Sequence, residues 1–121
     1  MTSQPHRHFT VGAAGLATVV KLTDKSLGEE TALSLAGELF GLAGRLGGAE
    51  LHVDFDEVDY LGSTALGKLI ALHKRVTLGG GRLRLIHLDT HLYEVFTLTR
   101  LDTFLDVRPK NAPGLPARVS A

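Results

Sequence analysis

The chain has 121 residues, of which 44% are hydrophobic and 21% charged, and its 13 basic and 13 acidic side chains cancel. This length and composition indicate one globular domain, and a neutral chain without a basic block is a poor candidate for binding nucleic acid or anionic lipid. The sequence has no cysteine, no apolar signal segment near its first residue and no apolar run of membrane-spanning length, which excludes disulfides and a cysteine nucleophile and predicts a cytoplasmic protein without a membrane anchor.

Residues 9–107 are the predicted domain, because the segment 1–8 is short and polar and the segment 108–121 is rich in proline and poor in apolar residues, which is typical of flexible termini. Within the domain, strand periodicity alternates with helical periodicity. Glycines follow the two long helical segments, as expected at helix ends. In chain order, the predicted elements are strands at Phe9–Val11 and Thr18–Leu22, a helix at Gly28–Leu46, a strand at Leu51–Phe55, a helix at Ser63–Leu78, a strand at Arg82–His87, a short helix from Asp89 or Thr90 to Leu98, and a last strand at Phe104–Val107.

The strand that precedes the second long helix alternates between apolar and polar residues. Leu51, Val53 and Phe55 share one face of this strand, while His52 and Asp54 share the other. Strands separated by helices of this length are expected to pair in parallel through right-handed crossovers. Parallel strands covered on both faces usually lack such alternation, so the pattern predicts an α/β domain whose helices lie mainly on one face of the sheet.

Each long helix carries an apolar stripe at helical spacing, which is expected to pack on the sheet. The stripe of the first helix is predicted to contain Ala32, Leu35, Ala36, Leu39, Ala43 and Leu46. The stripe of the second helix is predicted to contain Leu66, Leu69, Ile70, His73 and Val76.

The segment from Asp54 to Ala71 combines a strand end, an acidic turn and a helix start that carries two hydroxyl residues, Ser63 and Thr64. The simplest interpretation is structural, because a hydroxyl at a helix N-terminus accepts a hydrogen bond from an otherwise unpaired backbone N–H. The same position would suit a phosphate, because free N–H groups and the positive end of the helix dipole stabilise negative charge. Phosphorylation of Ser63 would then change what this surface binds while the helix stays folded.

This segment resembles the signature of STAS domains in bacterial anti-sigma-factor antagonists. In that family a strand is followed by an Asp-Ser-Ser/Thr-Gly-Leu-Gly pattern, a helix, a Gly-Gly turn and a strand that begins with a basic residue. Ser63 corresponds to the phosphorylatable serine, and Leu66 and Gly67 match the Leu-Gly pair. The resemblance implies a STAS-like α/β fold with a mixed, mostly parallel sheet of four to five strands. It extends over residues 9–107 and includes Val58–Leu61, Gly80–Leu85 and Leu98–Asp102.

The resemblance also implies a binding switch and not an enzyme. In the family, the unphosphorylated protein binds an anti-sigma factor, which is also a serine kinase with a histidine-kinase-like ATP site, and so frees a sigma factor to regulate transcription. The kinase then phosphorylates the serine and breaks the complex, and a phosphatase restores it. No resident cofactor is implied, and the chain is expected to be a monomer or a weak dimer. The implied phosphoacceptor is Ser63, with Thr64 second to it, and the implied partner-binding residues are Gly62, Thr64, Ala65, Leu66 and Lys68.

Two residues depart from the family pattern. Gly62 stands where the family usually has aspartate, and Ala65 stands where it usually has glycine. The missing carboxylate would lie beside the phosphoacceptor, where it could orient the hydroxyl or meet the partner. Gly62 therefore favours an alternative, a STAS module that is never phosphorylated and serves as a scaffold or as a subunit of a signalling or transport complex. Ala65 is expected to favour the helix by roughly 1 kcal/mol over glycine.

Other candidate sites have simpler interpretations. Asp54, Asp56, Glu57 and Asp59 could form a magnesium or acid–base site, and with it a small hydrolase, but such a run is more often a solvated turn. The six histidines have no recognisable metal-ligand spacing. Gly79–Gly81 precedes a strand and lacks the Gly-Lys-Ser/Thr of a phosphate loop. We therefore predict surface or boundary histidines, a turn and no metal site.

Overall fold

Strands and helices alternate through residues 8–110, the part of the chain that the computed structural model describes. This part contains seven strands, three α-helices and one 3-10 helix at Leu101–Thr103. In chain order the strands and α-helices are β1 (Phe9–Ala14), β2 (Ala17–Leu22), β3 (Ser26–Leu27), α1 (Glu29–Leu46), β4 (Glu50–Asp54), β5 (Tyr60–Leu61), α2 (Ser63–Leu78), β6 (Arg82–Leu88), α3 (Thr90–Leu98) and β7 (Asp106–Pro109).

The main sheet has five strands in the order β1-β2-β4-β6-β7. β1 pairs with β2 in antiparallel orientation, and the remaining neighbours pair in parallel. The predicted α/β class, with a mixed and mostly parallel sheet of four to five strands, is confirmed. A second sheet of two short parallel strands, β3 and β5, was not predicted.

The two faces of the main sheet differ in burial, as the alternation predicts. The strand register aligns Val20, Val53, Leu85 and Val107 in one row on the buried face, and the first three are 0% exposed. His52, Arg84 and Asp106 form a half-buried polar row on the opposite face. The helices supply the remaining apolar side chains of the single core cluster, which include Leu35, Leu39, Leu69, Leu72, Leu92 and Phe96.

The apolar stripe of α2 is shifted from the predicted one. Leu72, which the prediction left out, is 1% exposed, whereas His73 is only half-buried. The His73 ring lies against the Phe104 ring in an edge-on arrangement, with centroids 4.8 Å apart. The aromatic contact explains the partial burial of His73, because it places the imidazole at the rim of the core instead of inside it. The buried residues of α2 are Ala65, Leu69, Leu72 and Val76.

Glycines end both long helices, as predicted. Gly47 follows α1 with φ 60°, a left-handed conformation that glycine adopts without a steric penalty. Gly81 follows α2 and has a different reason to be glycine, because a β-carbon there would collide with the carbonyl oxygen of Ala49. The Gly79–Gly81 segment is therefore a turn whose last residue lets two backbone segments approach each other closely.

The C-terminal part of the fold departs from the prediction by two residues. The last strand runs from Asp106 to Pro109, not from Phe104 to Val107, and a 3-10 helix at Leu101–Thr103 takes up the chain before it. Arg108 and Pro109 were placed outside the domain but belong to this strand. The predicted flexibility of residues 1–7 and 111–121 concerns segments outside the described residues. Within residues 8–110, no helix combines the length and the hydropathy that crossing a bilayer requires.

Candidate functional site

The short sheet of β3 and β5 places the first turns of α1 and α2 next to each other. Ser26 pairs with Tyr60 and Leu27 pairs with Leu61, and one glycine follows each of these strands. The backbone N–H of the second glycine, Gly62, donates to the Leu27 carbonyl oxygen at 3.0 Å. Because α1 and α2 begin directly after these paired strands, their N-termini form a common rim.

The two helix starts differ in charge. Gly28 and Gly62 are the N-cap residues, both have extended backbone, and neither can supply a capping side chain. The first turn of α1 contains Glu29 and Glu30, whereas the first turn of α2 contains no acidic residue. Acidic residues in the first turn stabilise a helix through its dipole. The positive end of α2 therefore lacks the side-chain compensation that α1 has.

Ser63 is the first residue of α2 and is exposed. The expectation that a hydroxyl residue caps this helix is wrong, because Gly62 occupies the N-cap position and no side-chain capping bond forms. The capping geometry requires the residue before the first helical turn, and Ser63 lies one residue too late for it. Its hydroxyl is instead presented to solvent at the helix N-terminus.

The other predicted site residues lie at the N-cap and on the first two turns of α2 and differ in burial. Thr64 and Leu66 are half-buried, and Leu66 packs against the edge of the core. Ala65 is 4% exposed, so its methyl group faces the core and not the solvent. Together with the half-buried Lys68, Ala65 lines a small apolar cavity of about 20 Å³ between α1 and α2. The roles of these residues in partner binding stay predictions.

Tyr60 lies beside Gly62 and was not among the predicted site residues. Its side chain is 52% exposed, and a β-carbon on Gly62 would lie 3.4 Å from the Tyr60 hydroxyl. The next residue, Leu61, is 7% exposed. Successive side chains of a strand point to opposite sides, so alternation between Tyr60 and Leu61 could have predicted that Tyr60 is exposed. A strand of two residues is too short for such alternation to be recognised in the sequence.

Three acidic side chains before β5 contact separate basic residues. Asp54 Oδ1 accepts a hydrogen bond from the Asp56 backbone N–H at 2.9 Å and also lies 3.0 Å from Nδ1 of His87. The carboxylate of Asp56 lies 3.3 Å from Nζ of Lys110. Glu57 pairs with Nζ of Lys21 at 3.6 Å. Among residues 8–110, no three histidine or acidic side chains converge in a way that could hold a metal ion.

Comparison with known sequences gives one family. The model of the STAS domain matches residues 17–112 of the chain. The anti-sigma-B factor antagonist of Bacillus subtilis (strain 168) is 34% identical over 68 residues, which are 56% of this chain and 62% of that protein. The match therefore covers less than two thirds of the relative's length.

Solved structures share the fold. An anti-sigma factor antagonist from Mycobacterium paratuberculosis superposes with a TM-score of 0.72 at 21% identity, over 98% of this chain and 97% of that one. The Bacillus cell fate determinant SpoIIAA in its phosphorylated form superposes with a TM-score of 0.62 at 13% identity, over 84% and 92% of the two chains. At these identities the likeness concerns the arrangement of strands and helices.

Proposed function

Because the chain belongs to the STAS-domain family, we propose that it is an anti-sigma-factor antagonist whose binding surface surrounds Ser63. One observation carries the proposal: the residue that corresponds to the family's phosphorylatable serine is exposed and begins α2. The identity shared with the antagonist from Bacillus subtilis supports it. The protein then acts by binding a partner and catalyses no reaction of its own.

Phosphorylation of Ser63 is the proposed control of this binding. A phosphoserine carries about −1.5 to −2 charge at pH 7, and the first turn of α2 has no acidic residue to oppose it. The helix dipole and the free N–H groups stabilise the added charge, so α2 stays folded. The adjoining first turn of α1 already carries Glu29 and Glu30. The phosphate thus makes the rim strongly negative, and a partner that docks on the unphosphorylated surface loses affinity.

The proposed partner is an anti-sigma factor that is also a serine kinase. Binding to the antagonist withdraws it from the sigma factor, and its transfer of phosphate from ATP to Ser63 ends the complex. A phosphatase returns the chain to its binding form. Tyr60 is exposed and Thr64 and Leu66 are half-buried beside Ser63, which combines an aromatic anchor with polar and apolar contacts, as is common at interfaces.

The first test is intact-mass spectrometry of the chain incubated with ATP, magnesium and the candidate kinase. We expect one added phosphoryl group on the wild type and on Thr64→Ala, and none on Ser63→Ala. An adduct that persists in Ser63→Ala would place the phosphorylation elsewhere and overturn the assignment of Ser63.

The second test measures the affinity of the same kinase for the unphosphorylated chain, for the phosphorylated chain and for two variants of Ser63. Ser63→Ala is expected to bind like the unphosphorylated wild type, and Ser63→Asp is expected to bind at least about tenfold more weakly, because a carboxylate places negative charge in the docking surface. Isothermal titration calorimetry gives the affinities. Equal binding by wild type and by stoichiometrically phosphorylated protein would contradict the switch.

A STAS scaffold that is never phosphorylated is the second candidate, and Gly62 is the observation that favours it. Gly62 supplies no carboxylate beside Ser63, in contrast to the aspartate that the family usually has. Gly62→Asp separates the two candidates in the same mass assay. Phosphorylation of Gly62→Asp but not of the wild type, by a kinase active on another substrate, would identify the missing carboxylate as the reason and favour the scaffold.

A further inference from the structure

The main sheet has two edges, and they differ in how they are protected against pairing with another strand. β7, at one edge, contains Asp106, Arg108 and Pro109 and has a register irregularity against β6. Charged residues, proline and irregular register are the usual features that block edge-to-edge association. β1, at the other edge, has no charged residue and no proline, and its register with β2 is continuous from Phe9 to Ala14.

The pairing with β2 shows which backbone groups of β1 point outward. The N–H of Thr23 donates to the carbonyl oxygen of His8 at 2.9 Å, just before the paired stretch begins. In an antiparallel ladder the hydrogen-bonded pairs alternate with non-hydrogen-bonded pairs, so Thr10, Gly12 and Ala14 bond to β2. The N–H and C=O groups of Val11 and Ala13 therefore point away from β2, along the outer edge of the sheet.

The side chains of this edge are uncharged, and most of them are exposed. Every residue of β1 after Phe9 is exposed, and Val11 is 46% exposed although it faces the core side of the sheet with Val20. Leu16, in the turn to β2, is 99% exposed. An edge strand with outward hydrogen-bonding groups and uncovered apolar side chains is a template for strand addition.

Gly12, in the middle of β1, is not required by the protomer. Its φ is not left-handed, and a β-carbon there would meet no atom of the described chain within 4 Å. Glycine inside a strand is unfavourable by roughly 0.5–1 kcal/mol relative to alanine. A side chain at position 12 would therefore leave the protomer undisturbed and would meet only what lies outside it.

We propose that this edge is a homodimer interface in which the β1 strands of two copies pair in antiparallel orientation about Gly12. The outward groups of Val11 and Ala13 flank Gly12 symmetrically, so a two-fold axis at Gly12 places Val11 opposite Ala13 of the partner subunit, and the reverse. Each such pair exchanges two backbone hydrogen bonds. A second copy fits this edge because the strand is uncharged and complementary to itself, as a two-fold interface requires.

The test uses the full chain. In the proposed dimer, residue 12 of one protomer lies opposite residue 12 of its partner, so one substitution changes both sides of the interface. Gly12→Lys places two like charges opposite each other, and so does Gly12→Glu, so each variant is expected to weaken dimerisation by about fivefold or more. An equimolar mixture of the two variants is expected to recover the dimer through an opposite-charge pair. Gly12→Thr, which is neutral and favours strands, is the matched control and should dimerise at least as well as the wild type.

Sedimentation velocity over a wide concentration range measures the dimer, and circular dichroism with thermal melting verifies that each variant is folded. Because position 12 is open in the protomer, the charged variants are expected to melt near the wild-type temperature. A wild type that stays monomeric at all concentrations, or a folded Gly12→Lys that dimerises like the wild type, would overturn the proposal. Failure of the mixture to recover the dimer would reject the axis at Gly12. None of these outcomes depends on the proposed role of Ser63.

Discussion

Gly62 begins α2 with φ −84° and ψ 175°, an extended backbone that any residue can adopt. A β-carbon at this position would meet the Leu27 carbonyl oxygen and the Tyr60 hydroxyl at 3.4 Å, which is an ordinary contact. The fold therefore admits the aspartate that the family pattern predicts here. The consequence of glycine is local: the N-cap position has no side chain to accept a hydrogen bond from the first turn of α2.

Gly62→Asp is expected to raise the free energy of unfolding by about 0.5–1 kcal/mol, because its carboxylate would cap α2 and interact favourably with the helix dipole. Chemical denaturation measures the change. Gly62→Ala is the control, since it restricts the unfolded backbone in the same way but brings no carboxylate. If Gly62→Asp were no more stable than Gly62→Ala, a capping side chain at position 62 would have no effect on the free energy of unfolding.

At the scale of elements, the sequence left the start of α3 open between Asp89 and Thr90, and the structure decides it. Asp89 is the N-cap residue, and its Oδ1 accepts a hydrogen bond from the Leu92 backbone N–H at 2.8 Å. The boundaries of α1 and α2 were predicted to within one residue because glycines mark their ends. β3 and β5 escaped prediction because two residues carry no usable period.

Asp89→Ala is expected to lower the free energy of unfolding by about 1 kcal/mol, because the N–H of Leu92 loses its acceptor. Asp89→Asn keeps an oxygen at the same position and should be close to the wild type. Urea denaturation of the three proteins gives the comparison. An equal loss in both variants would mean that charge, and not the cap, accounts for the contribution of Asp89.

At the scale of the whole molecule, ion pairs cross the open face of the main sheet and join strands that are distant in sequence. Between β6 and β7, Nε of Arg84 donates to Oδ2 of Asp106 at 3.0 Å. Within β7, Nε of Arg108 donates to Oδ1 of the same carboxylate at 2.7 Å. Nη1 of Arg84 also lies 3.7 Å from Oε2 of Glu50 in β4. Burial alone raises the pKa of Asp106, but the hydrogen bonds from Arg108 and Arg84 outweigh it and hold the pKa below its usual value.

The lowered pKa of Asp106 makes stability depend on pH. The stabilising contribution of the ionised Asp106 carboxylate is present above the pKa of this group in the unfolded chain, about 3.9. It is lost as pH falls through the lower pKa of the same group in the folded state. Asp106→Asn is therefore expected to be less stable than the wild type at pH 7, by less than about 1 kcal/mol since the pair is partly solvated. Denaturation at several pH values should show that the stability difference between the wild type and Asp106→Asn shrinks below about pH 4. The control is Glu94→Gln, on the exposed face of α3, whose stability should differ little from that of the wild type at any pH. A difference that does not change with pH would exclude the carboxylate charge as its cause.

The sequence by itself determined the alternation of strands and helices, the polarity of the two sheet faces and the position of Ser63 at the start of α2, because periodicity and glycine punctuation are local properties of the chain. Only the tertiary structure decided that Gly62, and not a hydroxyl residue, occupies the N-cap, that Leu72 replaces His73 in the core, and that Tyr60 lies beside the site. Each of these depends on contacts between segments far apart in sequence: the pairing of β3 with β5 and the packing of α2 against Phe104. The same holds for the exposed β1 edge, since a strand becomes an edge only through the order in which the sheet assembles.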